Sequence, residues 1–119
     1  MAEHNVFGAS GEELAAGWLV KQGFELLERN WRFRKAEIDI ICLRNKLPHF
    51  VEVKSRSSGS FGLPEMGVTQ KKIMVLLQGI NEWMYLHPQY KNFQLDILSI
   101  TTHKDKDPEY FLIEDVYLG

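Results

Sequence analysis

The sequence predicts an α/β domain, a mixed β-sheet flanked by helices, with elements in the order α-β-β-β-α-β-β. Three observations predict it. Residues 70–86 repeat Ile73, Leu77, Ile80 and Met84 at helical spacing. Two apolar runs, residues 37–43 and 48–54, are separated by a short polar turn. A chain of 119 residues that is 45% hydrophobic and 12% aromatic suits one packed core, so residues 1–119 read as a single domain.

Each element has its own signals. Residues 5–22 read as the first helix, with Asn5 placed to cap it and Gly23 after its end, where a left-handed residue is favoured. Ser10-Gly11-Glu12-Glu13 has capping-box spacing and offers a later start. Residues 24–31 read as a short strand and 37–43 as the next. Residues 44–47 form a tight turn, and 48–54 return with Pro48 at the strand start, where a missing N–H matters least. Residues 55–67, rich in Ser and Gly, are a loop. The helix over 70–86 stops at His87-Pro88. Residues 93–101 and 110–116 are the last strands, with Asp105-Lys106-Asp107-Pro108 turning between them.

Composition excludes several classes. The single cysteine, Cys42, allows no internal disulfide and reads as a small core residue, which suits a reducing, cytoplasmic setting. The first residues lack a signal-peptide pattern, and no apolar run is long enough to span a bilayer, so no membrane partner is expected. His4, His49, His87 and His103 are scattered without metal-ligand spacing, so no zinc site is read. Ser57-Ser58-Gly59-Ser60 lacks the lysine of a phosphate-binding loop. The net charge of −2 argues against a generic basic binder of nucleic acid. Its distribution points the other way: residues 29–72 carry +6 and the remainder −8. Such asymmetry fits either a phosphate-binding surface or a solvated charged face.

The central hairpin is the most informative segment. With Asn45 and Lys46 as a two-residue turn, Asp39 lies opposite Glu52 and Glu37 opposite Lys54. Directly opposed residues share a face. One face then carries two carboxylates and an ammonium, while Ile38, Ile40, Val51 and Val53 form a core face. Opposed like charges destabilise a sheet, more so among apolar neighbours. A divalent cation relieves that cost, and carboxylate oxygens suit Mg²⁺ or Mn²⁺. The competing reading is a surface ladder, Glu37 paired with Lys54 and Asp39 and Glu52 exposed. Glu12 shares a helical face with Gly8, Ala15 and Leu19, which places a third acid toward the sheet; a capping role at the helix start is the alternative.

These residues resemble a known pattern. Ile38-Asp39 followed by Glu52-Val53-Lys54 resembles the PD-(D/E)xK nuclease signature. Gly8-x-x-Gly11-Glu12-x-x-Ala15, Asn30-Trp31-Arg32, Glu37-Ile38-Asp39-Ile40-Ile41, Phe50-Val51-Glu52-Val53-Lys54-Ser55-Arg56, Phe61-Gly62 and Leu95-Asp96-Ile97 together resemble the bacterial YraN-like family. That family is regarded as predicted endonucleases similar to archaeal Holliday-junction resolvases. The resemblance implies a restriction-endonuclease-like fold, with Asp39 and Glu52 as metal ligands, Lys54 as the catalytic lysine and Glu12 as the helix acid of resolvase-like members. Two positions depart from it: Ala36 stands where many members have Gly, and Gln94 where many have Arg. The second puts in doubt any role of Asp96 that relies on a neighbouring arginine.

The function expected is metal-dependent hydrolysis of DNA phosphodiesters, with Mg²⁺ or Mn²⁺ as cofactor. Arg32, Arg34, Lys35 and Arg56 are candidate phosphate contacts, which position a backbone without reading sequence. Gln70 lies in the first turn of the second helix, on its apolar side, and is placed to approach the site; Lys72 is less well aimed. Trp18, Trp31 and Trp83 read as core or anchor residues, and Phe61 as the aromatic placed to touch DNA. A homodimer is expected, since twofold dimers are the commonest oligomers. The alternative is a non-catalytic DNA-binding or assembly module of the same fold.

Overall fold

The computed structural model describes residues 11–58 and 69–117. Asn5, Gly8, Ser10, Phe61 and Gly62, which entered the sequence reading, lie outside the described residues. The elements are α1 (Gly11–Lys21), β1 (Glu25–Phe33), β2 (Ala36–Arg44), β3 (Leu47–Ser57), α2 (Gln70–Leu86), β4 (Gln94–Thr102) and β5 (Glu109–Ile113). This is the predicted order. No helix among the described residues is long and apolar enough to cross a membrane.

The five strands form one sheet in sequence order. β1, β2 and β3 are an antiparallel meander, β3 and β4 are parallel, and β5 returns antiparallel to β4. A parallel pair needs a crossover, and α2 supplies it. Both faces of the sheet centre are covered, so β4 is buried continuously from Leu95 to Ile100 rather than alternately. On one face α1 packs Ala15, Ala16 and Leu19 against Ile40, Cys42, Val51, Leu98 and Ile100. On the other, α2 packs Leu76, Ile80 and Trp83 against Ile38, Ile41, Phe50 and Leu95.

Local chemistry explains the element ends. Gly23, at φ +97°, closes α1: its N–H donates to Val20, and the N–H of Phe24 donates to Leu19, which satisfies two terminal carbonyls. Asn45 and Lys46 both take left-handed backbone, at φ 55° and 64°, as a tight two-residue hairpin turn requires. Thr69 caps α2 by accepting from the Lys72 N–H at 3.1 Å. Gly79 lets α2 approach the sheet, since a Cβ there would lie 2.9 Å from the Ala36 side chain.

The hairpin register is the predicted one, with Arg44 opposite Leu47 and Ile40 opposite Val51. The ladder stops there. β2 continues beside β1 to Ala36, and β3 continues beside β4 to Ser57, so the two strands part beyond Ile40 and Val51. Two expectations are corrected. Glu37 does not face Lys54 in a ladder; it pairs with Arg32 at 3.2 Å on the surface. Ile38 does not share a core with Ile40: Ile38 packs under α2 and Ile40 under α1. The two-residue alternation that the prediction assumed fails at Asp39, beside Asn30 of β1, whose backbone is left-handed at φ 54°.

Candidate active site

The parting of β2 and β3 makes the site. Where the ladder would continue, the Asp39 carboxylate takes the place of a backbone carbonyl and accepts the Val53 N–H at 2.7 Å. Glu52 lies next along β3 and is buried under the start of α2. Both carboxylates line one cavity of about 450 Å³, with Lys35 and Glu37 from the β1–β2 end and Thr69, Lys71 and Lys72 from the start of α2. Burial raises the Asp39 carboxyl from its ordinary 3.8 to about 7, against the lowering effect of the Val53 N–H; the charges of Glu52, Glu12 and Glu37 push the same way as burial.

Glu52 is held by two ammonium groups. Lys72 Nζ lies 2.9 Å and Lys54 Nζ 3.7 Å from its Oε2. The hydrogen bond to Glu52 raises the Lys72 pKa, keeping it charged. The ladder reading, with Glu37 on Lys54 and an exposed Glu52, is therefore not the arrangement found.

Glu12 sits half-buried in the first turn of α1, on the side of Ala15 and Leu19, which are fully buried. The preceding Gly11 allows that approach, because a Cβ there would meet Ser55 Oγ at 2.8 Å. Arg34 is exposed in the β1–β2 turn, its guanidinium 5.1 Å from the Phe33 ring centroid. Arg56 is half-buried on β3, and its carbonyl accepts the Thr102 hydroxyl at 3.3 Å. Gln70 is exposed at the start of α2 and does not line the cavity, whereas Lys72 reaches Glu52 directly. The expected order of the two is thus reversed. Sequence reasoning also missed Lys71; the signal available was Thr69, whose capping position fixes which side chains of the first turn face the sheet.

A second polar centre lies on the α1 face. Buried Asp96 receives His49 Nδ1 at 2.7 Å on Oδ2, and the Asp115 N–H at 2.9 Å and Gln94 Nε2 at 3.2 Å on Oδ1. Gln94 Nε2 also bonds Glu114 at 3.0 Å, and Arg44 reaches Glu114 at 3.4 Å. His49, Asp96 and Glu114 offer ligand atoms within 4.8 Å of one another. No sequence spacing announces this grouping, because the chain brings it together across β3, β4 and the tail after β5. The donors already present account for the arrangement as a latch that ties that tail to the sheet, helped by the Val116 N–H on the Leu95 carbonyl at 2.8 Å. Burial pushes the adjacent Cys42 thiol up to about 12, with Asp96 adding to it, so it is an inert core thiol.

Fold and site define an α/β domain with two carboxylates and a cluster of lysines where two strands diverge. The chain belongs to the UPF0102 family, described as "Uncharacterised protein family UPF0102", whose model matches residues 11–100. This is the YraN-like family that the motifs resemble. The chain is similar to a UPF0102 protein of Flavobacterium psychrophilum, 42% identical over 100 residues, covering 84% of each chain. It is similar to one of Campylobacter fetus subsp. fetus, 43% identical over 101 residues, covering 85% of this chain and 88% of that one. The family match spans Glu12, Asp39, Glu52, Lys54 and Lys72.

Proposed function

We propose that this protein is a metal-dependent endonuclease that hydrolyses DNA phosphodiester bonds, with branched, Holliday-junction-like DNA as the structured substrate class. The observation that carries it is the meeting of Asp39 and Glu52 in one cavity lined by Lys35, Lys71 and Lys72, with Lys54 Nζ 3.7 Å from Glu52. Buried Glu52 beside half-buried Asp39, whose ionisation is opposed by burial and by the neighbouring acids, is an unfavourable structural element and a suitable cation site. The donor set is oxygen alone, which fits Mg²⁺ or Mn²⁺ rather than a thiolate- or imidazole-seeking metal. Asp39 and Glu52 would hold the ion.

When bound, such an ion supplies Lewis acidity toward the phosphoryl group and makes water a better nucleophile at neutral pH. The residues of the chain do the rest. Lys54, on the same face of β3 as Glu52, sets an ammonium where negative charge grows on the phosphorus oxygens. Lys35, Lys71 and Arg34 present cations at the cavity rim and the adjoining turn, and dock the backbone without reading bases. Glu12, beneath, adds negative charge behind Asp39. One small domain gives a short footprint on a branched duplex, and a twofold dimer would extend it.

The test is cleavage of a panel of branched and linear DNA substrates with Mg²⁺ or Mn²⁺ by the wild type, Asp39→Asn and Lys54→Ala proteins. Loss in both variants, with metal binding retained in Lys54→Ala, supports the reading. Equal cleavage by wild type and Asp39→Asn would assign the activity elsewhere. No cleavage by any of the three, with DNA binding intact, would favour the non-catalytic binding module.

A further inference from the structure

We propose that Lys72 is an exchangeable counter-ion: it neutralises Glu52 while no divalent cation is bound, and moves to a phosphate of the nucleic acid when one binds. The proposal rests on the metal reading of the Asp39–Glu52 cavity. It adds that the cation and the nucleic acid bind cooperatively through this side chain.

The argument begins with Glu52. Its side chain is 7% exposed, on a strand paired into the sheet, and a desolvated carboxylate requires a positive partner. Two lysines meet that need unequally. Lys54 is on the same strand, 3.7 Å away and 30% exposed. Lys72 comes from the first turn of α2, is closer at 2.9 Å, and is 45% exposed. The nearer partner is thus the one with more room to move. At hydrogen-bond distance its ammonium also lies against a carboxylate oxygen that the cation would use. A +2 ion between Asp39 and Glu52 removes the need for Lys72 and repels it, and a four-carbon stem nearly half in solvent can turn away with little loss of packing. Lys35 and Lys71 line the same cavity, so a displaced Lys72 shares it with other cations. A phosphate is what makes that grouping of cations favourable.

The consequence is reciprocal. The cation releases Lys72 for the phosphate. The phosphate draws Lys72 from Glu52 and tightens the cation. Linkage requires both effects to be of the same size.

The experiment measures Mn²⁺ affinity by calorimetry on the free protein, and duplex DNA affinity with and without Ca²⁺, which probes binding without relying on turnover. Wild type, Lys72→Ala and Lys72→Gln are compared, the second variant keeping length and hydrogen bonding should the first fold poorly. The free variants are expected to bind Mn²⁺ about tenfold more tightly than wild type, within the usual range of coupling between sites. They should bind DNA more weakly and lose the enhancement of DNA binding by Ca²⁺. Unchanged or weaker Mn²⁺ binding in both variants overturns the proposal and leaves Lys72 as a fixed ion pair, with the metal reading intact. Failure of the wild type to bind Mn²⁺ at all overturns both.

Discussion

Glu52 and His49 stand three residues apart on β3 and face opposite sides of the sheet. Each belongs to a buried carboxylate centre, and the two centres are built on opposite principles. On the α1 side, Asp96 has a donor on each oxygen: an imidazole, a backbone N–H and an amide. Both of its carboxylate oxygens are hydrogen-bonded within the fold. On the α2 side, Asp39 has one backbone donor, and the three charges that shift its titration, from Glu52, Glu12 and Glu37, are all negative. The same functional group ties a tail to the sheet in one place and lines a cavity among like charges in the other. Satisfied buried polar networks give rigidity; strained ones concentrate where function is.

The sharpest way to break this comparison is to remove charge at each centre. Asp39→Asn is expected to lower metal-dependent cleavage by about 10³-fold or more, the scale on which a principal electrostatic contributor is lost. Its melting temperature should stay level or rise, because one member of a repelling set has gone. Asp96→Ala is expected to do the reverse. It strips the acceptor from His49 and the Asp115 N–H, and should cost about 3–5 kcal/mol in urea unfolding, the scale of breaking a buried pair. Below its melting temperature, cleavage per folded molecule should persist. An unchanged stability in Asp96→Ala would show that the α1-side centre is not a latch.

A smaller effect tests the packing that brings the second lysine source to the site. Gly79→Ala places a methyl 2.9 Å from the Ala36 side chain and should destabilise by about 1–3 kcal/mol, as overpacking does. It should also shift α2 and loosen Lys72 from Glu52, which Mn²⁺ affinity would register. No loss of stability would mean that α2 has slack against β2.

Much of this is legible in the sequence. The bounds of α2, residues 70–86, follow from its apolar repeat and from His87-Pro88. The register of β2 and β3 follows from Asn45-Lys46, because a two-residue turn leaves one pairing. Asp39 and Glu52 were therefore placed together by local rules alone. What stayed hidden depends on longer range. A hairpin rule extends a ladder indefinitely, and nothing in residues 36–57 says that the strands part after Ile40 and Val51. The break in alternation that puts Ile38 on the α2 face falls at Asp39, beside the left-handed Asn30 of β1, and the apolar pattern of β2 does not announce it. The preference for Lys72 over Gln70 depends on how α2 is rotated against the sheet, which a periodicity fixes only to within a residue. His49 and Asp96 are 47 positions apart and meet only because β3 and β4 run parallel.

The smallest expected effect separates the two centres by pH. The Asp39 carboxyl titrates at about 7 in the folded chain and near its ordinary 3.8 when unfolded. The folded state therefore holds this proton more firmly. Its contribution to stability is full below about pH 4 and is lost as the pH rises through 7. In the absence of divalent cations, the melting temperature of the wild type should fall relative to that of Asp39→Asn across this window, by a few degrees at most because the group is partly in contact with solvent. Saturating Mg²⁺ should reverse the trend. A cation prefers the ionised carboxylate, so its stabilisation grows with pH, and binding below pH 7 releases a proton that calorimetry in buffers of different ionisation enthalpy can count. Asp39→Asn should release none. Equal pH profiles for the two proteins, with and without Mg²⁺, would mean that Asp39 is compensated much as Asp96 is, and the contrast between the two faces of β3 would fail.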